Sequence, residues 1–195
     1  MNISALFDRG WAVIPNAFEQ SEVLAAQALS HDYRPAHIGR NQSAQLAQTV
    51  RSDKIFWLEN PDNPAVQAYL QLMDAIRQEV NQRCFLGLFD YECHFARFDA
   101  GDFYKTHLDA FADEHNPRGN RKLSSVFYLN QAWQPQDGGA LVLYAPGSER
   151  EITRVLPELG TLVLFFSEEF PHEVLPAKRE RWSLTGWFRT RPEGV

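Results

Sequence analysis

Cysteine is nearly absent from this chain, with Cys84 and Cys93 as the only two in 195 residues. They show no CxxC spacing, so neither a disulfide framework nor a zinc ribbon is expected. Two reduced thiols in a reducing compartment suit them best. Long hydrophobic runs are also missing: no segment approaches the ~20 apolar residues of a membrane span. The first ten residues carry no basic region followed by an apolar stretch, so no signal peptide is read. A soluble, cytoplasmic protein without a membrane partner is expected. Basic charge is in deficit, with 19 Lys and Arg against 25 Asp and Glu and a formal net charge of −6. Nucleic-acid binding by a cationic footprint is therefore excluded. There is no internal repeat and no low-complexity segment.

What the chain does have is core-forming material, 44% hydrophobic and 13% aromatic residues. That is enough for one folded domain over residues 1–195. Glu19–Ser30 carries Val23, Leu24, Ala26 and Leu29 at helical spacing, and Ala65–Cys84 repeats the pattern with Val66, Tyr69, Leu70, Met73, Ile76 and Val80. Between them, Pro35–Ser52 is polar and aperiodic and reads as a long loop or a loosely paired hairpin, followed by the apolar run Ile55–Leu58. From about Tyr91 the pattern changes to short strands, expected at 91–98, 103–109, 122–129, 139–144, 151–155, 160–166, 172–176 and 181–190. The predicted fold is mainly β with N-terminal helices (α+β). Its core is a jelly roll, a cupin-like double-stranded β-helix, over about 91–190, with a helical buttress and a loop over about 1–90.

His107 and Asp109 stand two apart in an expected strand, so both side chains face one side. A third ligand must come from another element, and His172, after the turn at Glu168–Pro171, is the candidate. Two imidazoles and one carboxylate form the facial triad that holds non-haem Fe(II) and leaves positions open. Arg181 opens the last strand, nine residues on, with Ser183, Thr185 and Trp187 on the same face. On a strand adjacent to that of His172, Arg181 and Thr185 would lie deeper in the barrel. A buried guanidinium there needs an anion, and a dicarboxylate such as 2-oxoglutarate supplies one. Each piece alone has a plainer reading as a turn histidine, a surface arginine or a core tyrosine. Their order within a strand-rich region favours the metal site.

The chain resembles the prolyl 4-hydroxylase branch of the Fe(II)/2-oxoglutarate oxygenases, in particular the oxygen-sensing prolyl hydroxylases and their bacterial relatives. The resemblance runs from about Pro35 to Arg189. It rests on Tyr104–Asp109, Phe127–Asn130 with Trp133, Gly138–Leu141, Leu164–Ser167, Pro171–Val174, Arg181–Phe188, and Arg51–Lys54 with Trp57. It implies that His107, Asp109 and His172 ligate iron. Arg181 would bind the distal carboxylate of 2-oxoglutarate, with Tyr128 and Thr185 as hydroxyl donors. The Ala36–Asp53 loop would cover substrate, with Arg51 and Asp53 fixing its closed form; a solvated charged pair is the plainer reading of those two. Phe98 stands where such enzymes often carry tyrosine, so no chemical role is assigned to it. His94 is read as a satisfied core histidine and His115 as a solvated loop residue, while His31 and His37 lack ligand spacing.

The implied reaction consumes Fe(II)-bound 2-oxoglutarate and O2, with ascorbate as an admissible reductant, and releases succinate and carbon dioxide. An aspartate at position 109 favours hydroxylation over halogenation. The implied partner is a protein presenting a proline, with elongation factor Tu as the specific candidate. Oxidation of a free amino acid or small metabolite stays open, as does a non-catalytic metal-binding jelly-roll sensor. Nothing fixes the oligomeric state, and a monomer suffices.

Overall fold

Residues 1–36, 49–59, 61–110 and 120–191 are described by the computed structural model of the protein. The chain opens with helix α1 (Ser4–Arg9), strand β1 (Trp11–Ile14) and helix α2 (Ser21–Ala28). Short strands β2 (Arg34–Pro35) and β3 (Lys54–Trp57) precede the long helix α3 (Pro64–Cys84). Asn63 caps α3: its side-chain oxygen accepts from the N–H groups of Ala65 at 2.9 Å and Val66 at 3.3 Å, and Pro64 follows where a missing N–H costs nothing. The apolar stripe Val66, Tyr69, Met73, Ile76 and Val80 is buried, as the helical spacing predicts.

Strands then dominate: β4 (Leu88–Phe98), β5 (Tyr104–His107), β6 (Arg121–Tyr128), β7 (Leu141–Tyr144), β8 (Glu151–Val155), β9 (Leu162–Phe166), β10 (His172–Val174) and β11 (Arg181–Thr190). They form a seven-stranded sheet, β1-β9-β6-β11-β4-β3-β2, facing a four-stranded sheet, β5-β10-β7-β8. The pairing is antiparallel throughout both sheets. This is the expected jelly roll. Two of its features were not anticipated. Helix α1 and strands β1 and β2 escaped the sequence reading, because pieces of two to six residues are too short for periodicity to register. The segment assigned to the helical buttress thus adds three strands to the larger sheet.

Alternation along each strand of the larger sheet builds two cores. Its outer face (Cys93, Phe95, Leu123, Phe127, Leu162, Leu164, Leu184 and Phe188) packs with Leu6, Leu24 and the α3 stripe. Its inner face (Ala96, Phe98, Val126, Tyr128, Val163 and Phe165) packs on Leu141, Leu143 and Val174 of the smaller sheet. Gly186 marks a close approach on the outer face. A Cβ there would meet the Tyr91 ring and hydroxyl and lie 2.8 Å from Cys93 Cβ. The Tyr91 hydroxyl is itself bonded to Ser125 Oγ at 2.8 Å, so the ring cannot swing aside without breaking that bond. Gly186→Ala should therefore destabilise the protein by about 1–3 kcal/mol as an overpacked core. Denaturant unfolding measures this, and a change within about 0.5 kcal/mol, the range of ordinary surface substitutions, would contradict the packing account.

Candidate active site

His107 and His172 face each other because β5 and β10 pair in that register. Each ring is oriented from behind. His107 Nδ1 lies 2.8 Å from Lys105 O and His172 Nδ1 lies 3.1 Å from Phe170 O. A carbonyl only accepts, so Nδ1 carries the proton in both rings and both Nε2 lone pairs stay free. Those Nε2 atoms lie 3.5 and 3.6 Å from Asp109 Oδ1 and Oδ2. The ligand atoms of all three residues lie within 4.8 Å of one another. Burial pulls His172 down to about 4 against the opposing pull of Asp109. Burial pushes the Asp109 carboxyl up, but His172, His107 and the Ser124 hydroxyl outweigh it and hold it well below the usual carboxylate range. A neutral imidazole at His172 beside an ionised carboxylate is the state a divalent ion requires.

One expectation about this cluster fails. Asp109 is not on a strand: β5 ends at His107, and Asp109 sits in the bend beyond. Strand alternation therefore does not bring it to the two imidazoles. A hydrogen bond from Ser124 Oγ to Asp109 Oδ2, 2.7 Å long, does.

Arg181 is 1% exposed and lies on the larger sheet, whereas the histidines lie on the smaller one. It does not sit on a strand adjacent to that of His172; it faces the triad across the sandwich, lining the same cavity of about 460 Å³. Its Nε donates to Gly139 O at 2.9 Å. Gly139, at φ 70°, permits this approach, since a Cβ there would come within 2.9 Å of Ala177 Cβ and 3.3 Å of Arg181 Cδ. Among the described residues, buried Arg181 Nη2 and the buried Tyr128 hydroxyl have no hydrogen-bond partner of good geometry, although the two side chains lie close to each other. The guanidinium carbon is 5.1 Å from the Tyr128 ring centre and 5.0 Å from that of Phe98. Burial raises the Tyr128 phenol to about 12 against the pull of Arg181, so it remains a donor. An unpaired guanidinium donor at a dry end of the cavity, with the Tyr128 hydroxyl close to it, fits a carboxylate. Tyr128 itself stands behind the cavity wall, whereas Thr185 lines it with Ser183 and Trp187.

Lining the same cavity, Arg51 Nε and Nη2 donate to Asp53 Oδ1 and Oδ2 at 2.7 and 2.6 Å. Their side chains are 13% and 1% exposed, so the solvated-pair reading does not apply. Arg51 also stacks over Tyr104, which in turn stacks on His107. Residues 37–48 of the Ala36–Asp53 loop, with His37, and residues 111–119, with His115, lie outside the described residues. His94 is not satisfied among the described residues: its Nδ1 is buried without a partner there, as is Trp187 Nε1 beside it, and both residues line the cavity with Phe98 and Trp57. His31 instead stacks on Phe56. Arg121 was missed altogether. Leu123 pairs with Phe188 but Arg121 with Arg189, a bulge that spends one extra residue and turns Arg121 onto the cavity face over Trp187. Strict alternation from Tyr128 points to Lys122 instead.

The profile of the 2OG-Fe(II) oxygenase superfamily matches residues 93–189, the span that carries the triad and Arg181. A crystal structure of a Pseudomonas putida prolyl-4-hydroxylase is 41% identical, with 96% of each chain covered and a TM-score of 0.84. The chain belongs to the 2OG-Fe(II) oxygenase superfamily. Oxygenases of this superfamily use Fe(II), 2-oxoglutarate and O2, in keeping with the donor set here. A Trichoplax adhaerens prolyl hydroxylase in complex with a hypoxia inducible factor peptide fragment is 27% identical, covering 95% of this chain and 86% of that one, with a TM-score of 0.79. Human Egl nine homolog 1 is 26% identical over 157 residues, 76% of this chain and 35% of that protein. The chain spans about a third of the length of such curated relatives. Among the described residues no helix is long and apolar enough to cross a membrane.

Burial pulls His94 down to about 3, with Arg51 and Arg121 adding to it. The unfolded chain takes up that proton below about 6.5 and the folded one does not, so stability is present above that pH and is lost as pH falls toward 3. His94→Leu should therefore gain about 2–3 kcal/mol on the wild type between pH 7.5 and pH 4.5. Denaturant unfolding of both proteins at the two pH values checks this; an unchanged difference would show that His94 is not held neutral.

Proposed function

We propose that this chain, acting as one domain over residues 1–195, is an Fe(II)- and 2-oxoglutarate-dependent dioxygenase that hydroxylates a prolyl residue of a protein. The observation that carries the reading is the open guanidinium N–H of buried Arg181, at the end of a cavity whose other wall is the His107, Asp109 and His172 cluster. In this reading those three residues hold the iron. Arg181 and Tyr128 receive the distal carboxylate of 2-oxoglutarate, with Thr185 supplying a further hydroxyl on the same wall. Bound iron, with 2-oxoglutarate and O2, supplies the power to convert a C–H bond to C–OH, with release of succinate and carbon dioxide.

The chain's own residues do the rest. The carbonyls of Lys105 and Phe170 keep the ligand imidazoles in one tautomer. With Nε committed to Gly139 O, the guanidinium would offer its open Nη2 to the distal carboxylate and so set the direction of the cosubstrate. The aromatic walls of Trp57, Tyr104 and Trp187 exclude water and offer flat surfaces to a saturated ring. The unpaired His94 Nδ1 and Trp187 Nε1 offer polar contacts to the peptide that carries it. In this reading Arg51 and Asp53, bonded to each other, would fix the end of the substrate loop. The finer assignment is elongation factor Tu as the substrate, in the cytoplasm, supported by the likeness to a bacterial prolyl-4-hydroxylase along nearly the whole chain.

Asp109→Ala should abolish substrate-dependent succinate formation, and normal turnover would end the metal assignment. Arg181→Gln removes one partner of a buried charge pair, a loss of roughly 2–5 kcal/mol. The KM for 2-oxoglutarate should then rise by at least about 30-fold, and an unchanged KM would contradict the role given to Arg181. Incubating intact cell proteins with enzyme, Fe(II) and 2-oxoglutarate should place a hydroxyl, about +16 Da, on a proline of one protein. Turnover confined to small molecules would overturn the protein substrate, and a mark on another protein would overturn elongation factor Tu alone.

A further inference from the structure

The three members of the cluster are not held with equal security. His107 and His172 are paired across two strands, and each ring is tied to a carbonyl. Asp109 stands beyond the end of β5, where no strand register fixes it. Its carboxylate accepts a hydrogen bond of 2.7 Å from Ser124 Oγ. Ser124 Oγ also lies 2.8 Å from Ser167 Oγ. Both serines are fully buried: Ser124 lies on β6 opposite Phe165 in register, and Ser167 lies in the turn directly after β9.

The proton direction in this pair follows from valence. An ionised carboxylate only accepts, so the single hydroxyl proton of Ser124 goes to Asp109. Ser124 must then accept from Ser167, and the chain runs Ser167 to Ser124 to Asp109. Successive hydrogen bonds of this kind polarise and strengthen one another. Ser167 is itself anchored, since its backbone N–H donates to Lys122 O at 3.1 Å. The ion pair of Lys122 with Glu168 at 2.7 Å ties the same two segments together. Two alanines would fill these buried positions with no polar group to satisfy. What the serines add is a fixed donor aimed at one oxygen of Asp109.

We propose that Ser124, supported by Ser167, is the positioning residue that holds Asp109 in the metal-binding geometry and so sets the affinity of the site for its divalent ion. The proposal rests on the reading of His107, Asp109 and His172 as the iron site. Groups that orient a metal ligand from behind are worth about 10–100-fold in metal affinity. Ser124→Ala should weaken Mn(II) binding by about that factor, followed anaerobically by the EPR signal of free Mn(II). Ser167→Ala should give a smaller loss in the same direction. Ser124→Thr keeps the hydroxyl and should restore affinity to within a few-fold of wild type. The d–d spectrum of the Co(II)-loaded protein should change in Ser124→Ala and not in Ser124→Thr.

The unfolding temperature of each metal-free variant separates misfolding from loss of positioning. A folded Ser124→Ala protein that binds Mn(II) as tightly as wild type overturns this proposal and leaves the triad reading intact. Loss of affinity in Ser124→Thr equal to that in Ser124→Ala overturns it too, because packing and not the hydroxyl would then be responsible. Wild-type protein that binds neither Mn(II) nor Co(II) overturns the triad reading, and the proposal with it.

Discussion

A guanidinium sealed between two sheets, with one N–H group bonded to Gly139 O and another left open, is the constraint around which the cavity is built. Unpaired charge in a dry interior is strongly disfavoured. The fold nevertheless directs its best-packed strand, β11, to place Arg181 there, between the rings of Phe98 and Tyr128. Such an arrangement makes sense when an anion completes it. The triad on the opposite sheet has the complementary need: an ionised carboxylate and two imidazoles, each with a free Nε2, that call for a cation. Placing the two demands on facing walls of one cavity orients any ligand that has a carboxylate at one end and metal-chelating oxygens at the other.

The rest of the architecture serves that opposition. The larger sheet is stiffened on its outer face by α3 and the N-terminal helices, so its inner face can carry polar groups at Tyr128, Ser183, Thr185 and His94. The smaller sheet contributes less bulk but supplies the register that sets His107 against His172. Tight turns make the approach possible. The backbone at Gly139 comes close enough to Arg181 to satisfy one N–H and leave the remainder directed at the cavity. The buried Arg51 and Asp53 pair repeats the theme on the cavity lining, where a charge is neutralised by the chain itself.

Much of this was legible in the sequence because it depends on period-2 alternation. The expected strands from 91 onward are all present, and Arg181, Ser183, Thr185 and Trp187 share one face as the spacing requires. What escaped, namely the placement of the ligand Asp109 off the strand, the cavity position of Arg121 and the strands β1 and β2, lies where alternation gives no information. Asp109 is beyond a strand end, Arg121 is turned by a bulge, and β1 and β2 are too short to show a period. His94 lies on the correct face, but whether a buried imidazole finds a partner depends on neighbours in three strands, which a single sequence does not specify. The adjacency assumed for His172 and Arg181 failed for a related reason: sequence order does not say which sheet a strand joins.

The central claim is that the cavity is built for a ligand with a carboxylate at its far end. Calorimetric titration of the Mn(II)-loaded protein under nitrogen, with 2-oxoglutarate and with 2-oxobutyrate, tests it most directly. Both compounds present the same chelating 2-oxo acid, and only the first carries the distal carboxylate. Forfeiting the pairing with Arg181 should cost roughly 2–5 kcal/mol, so 2-oxoglutarate should bind at least about 30-fold more tightly. Equal affinities would contradict the account.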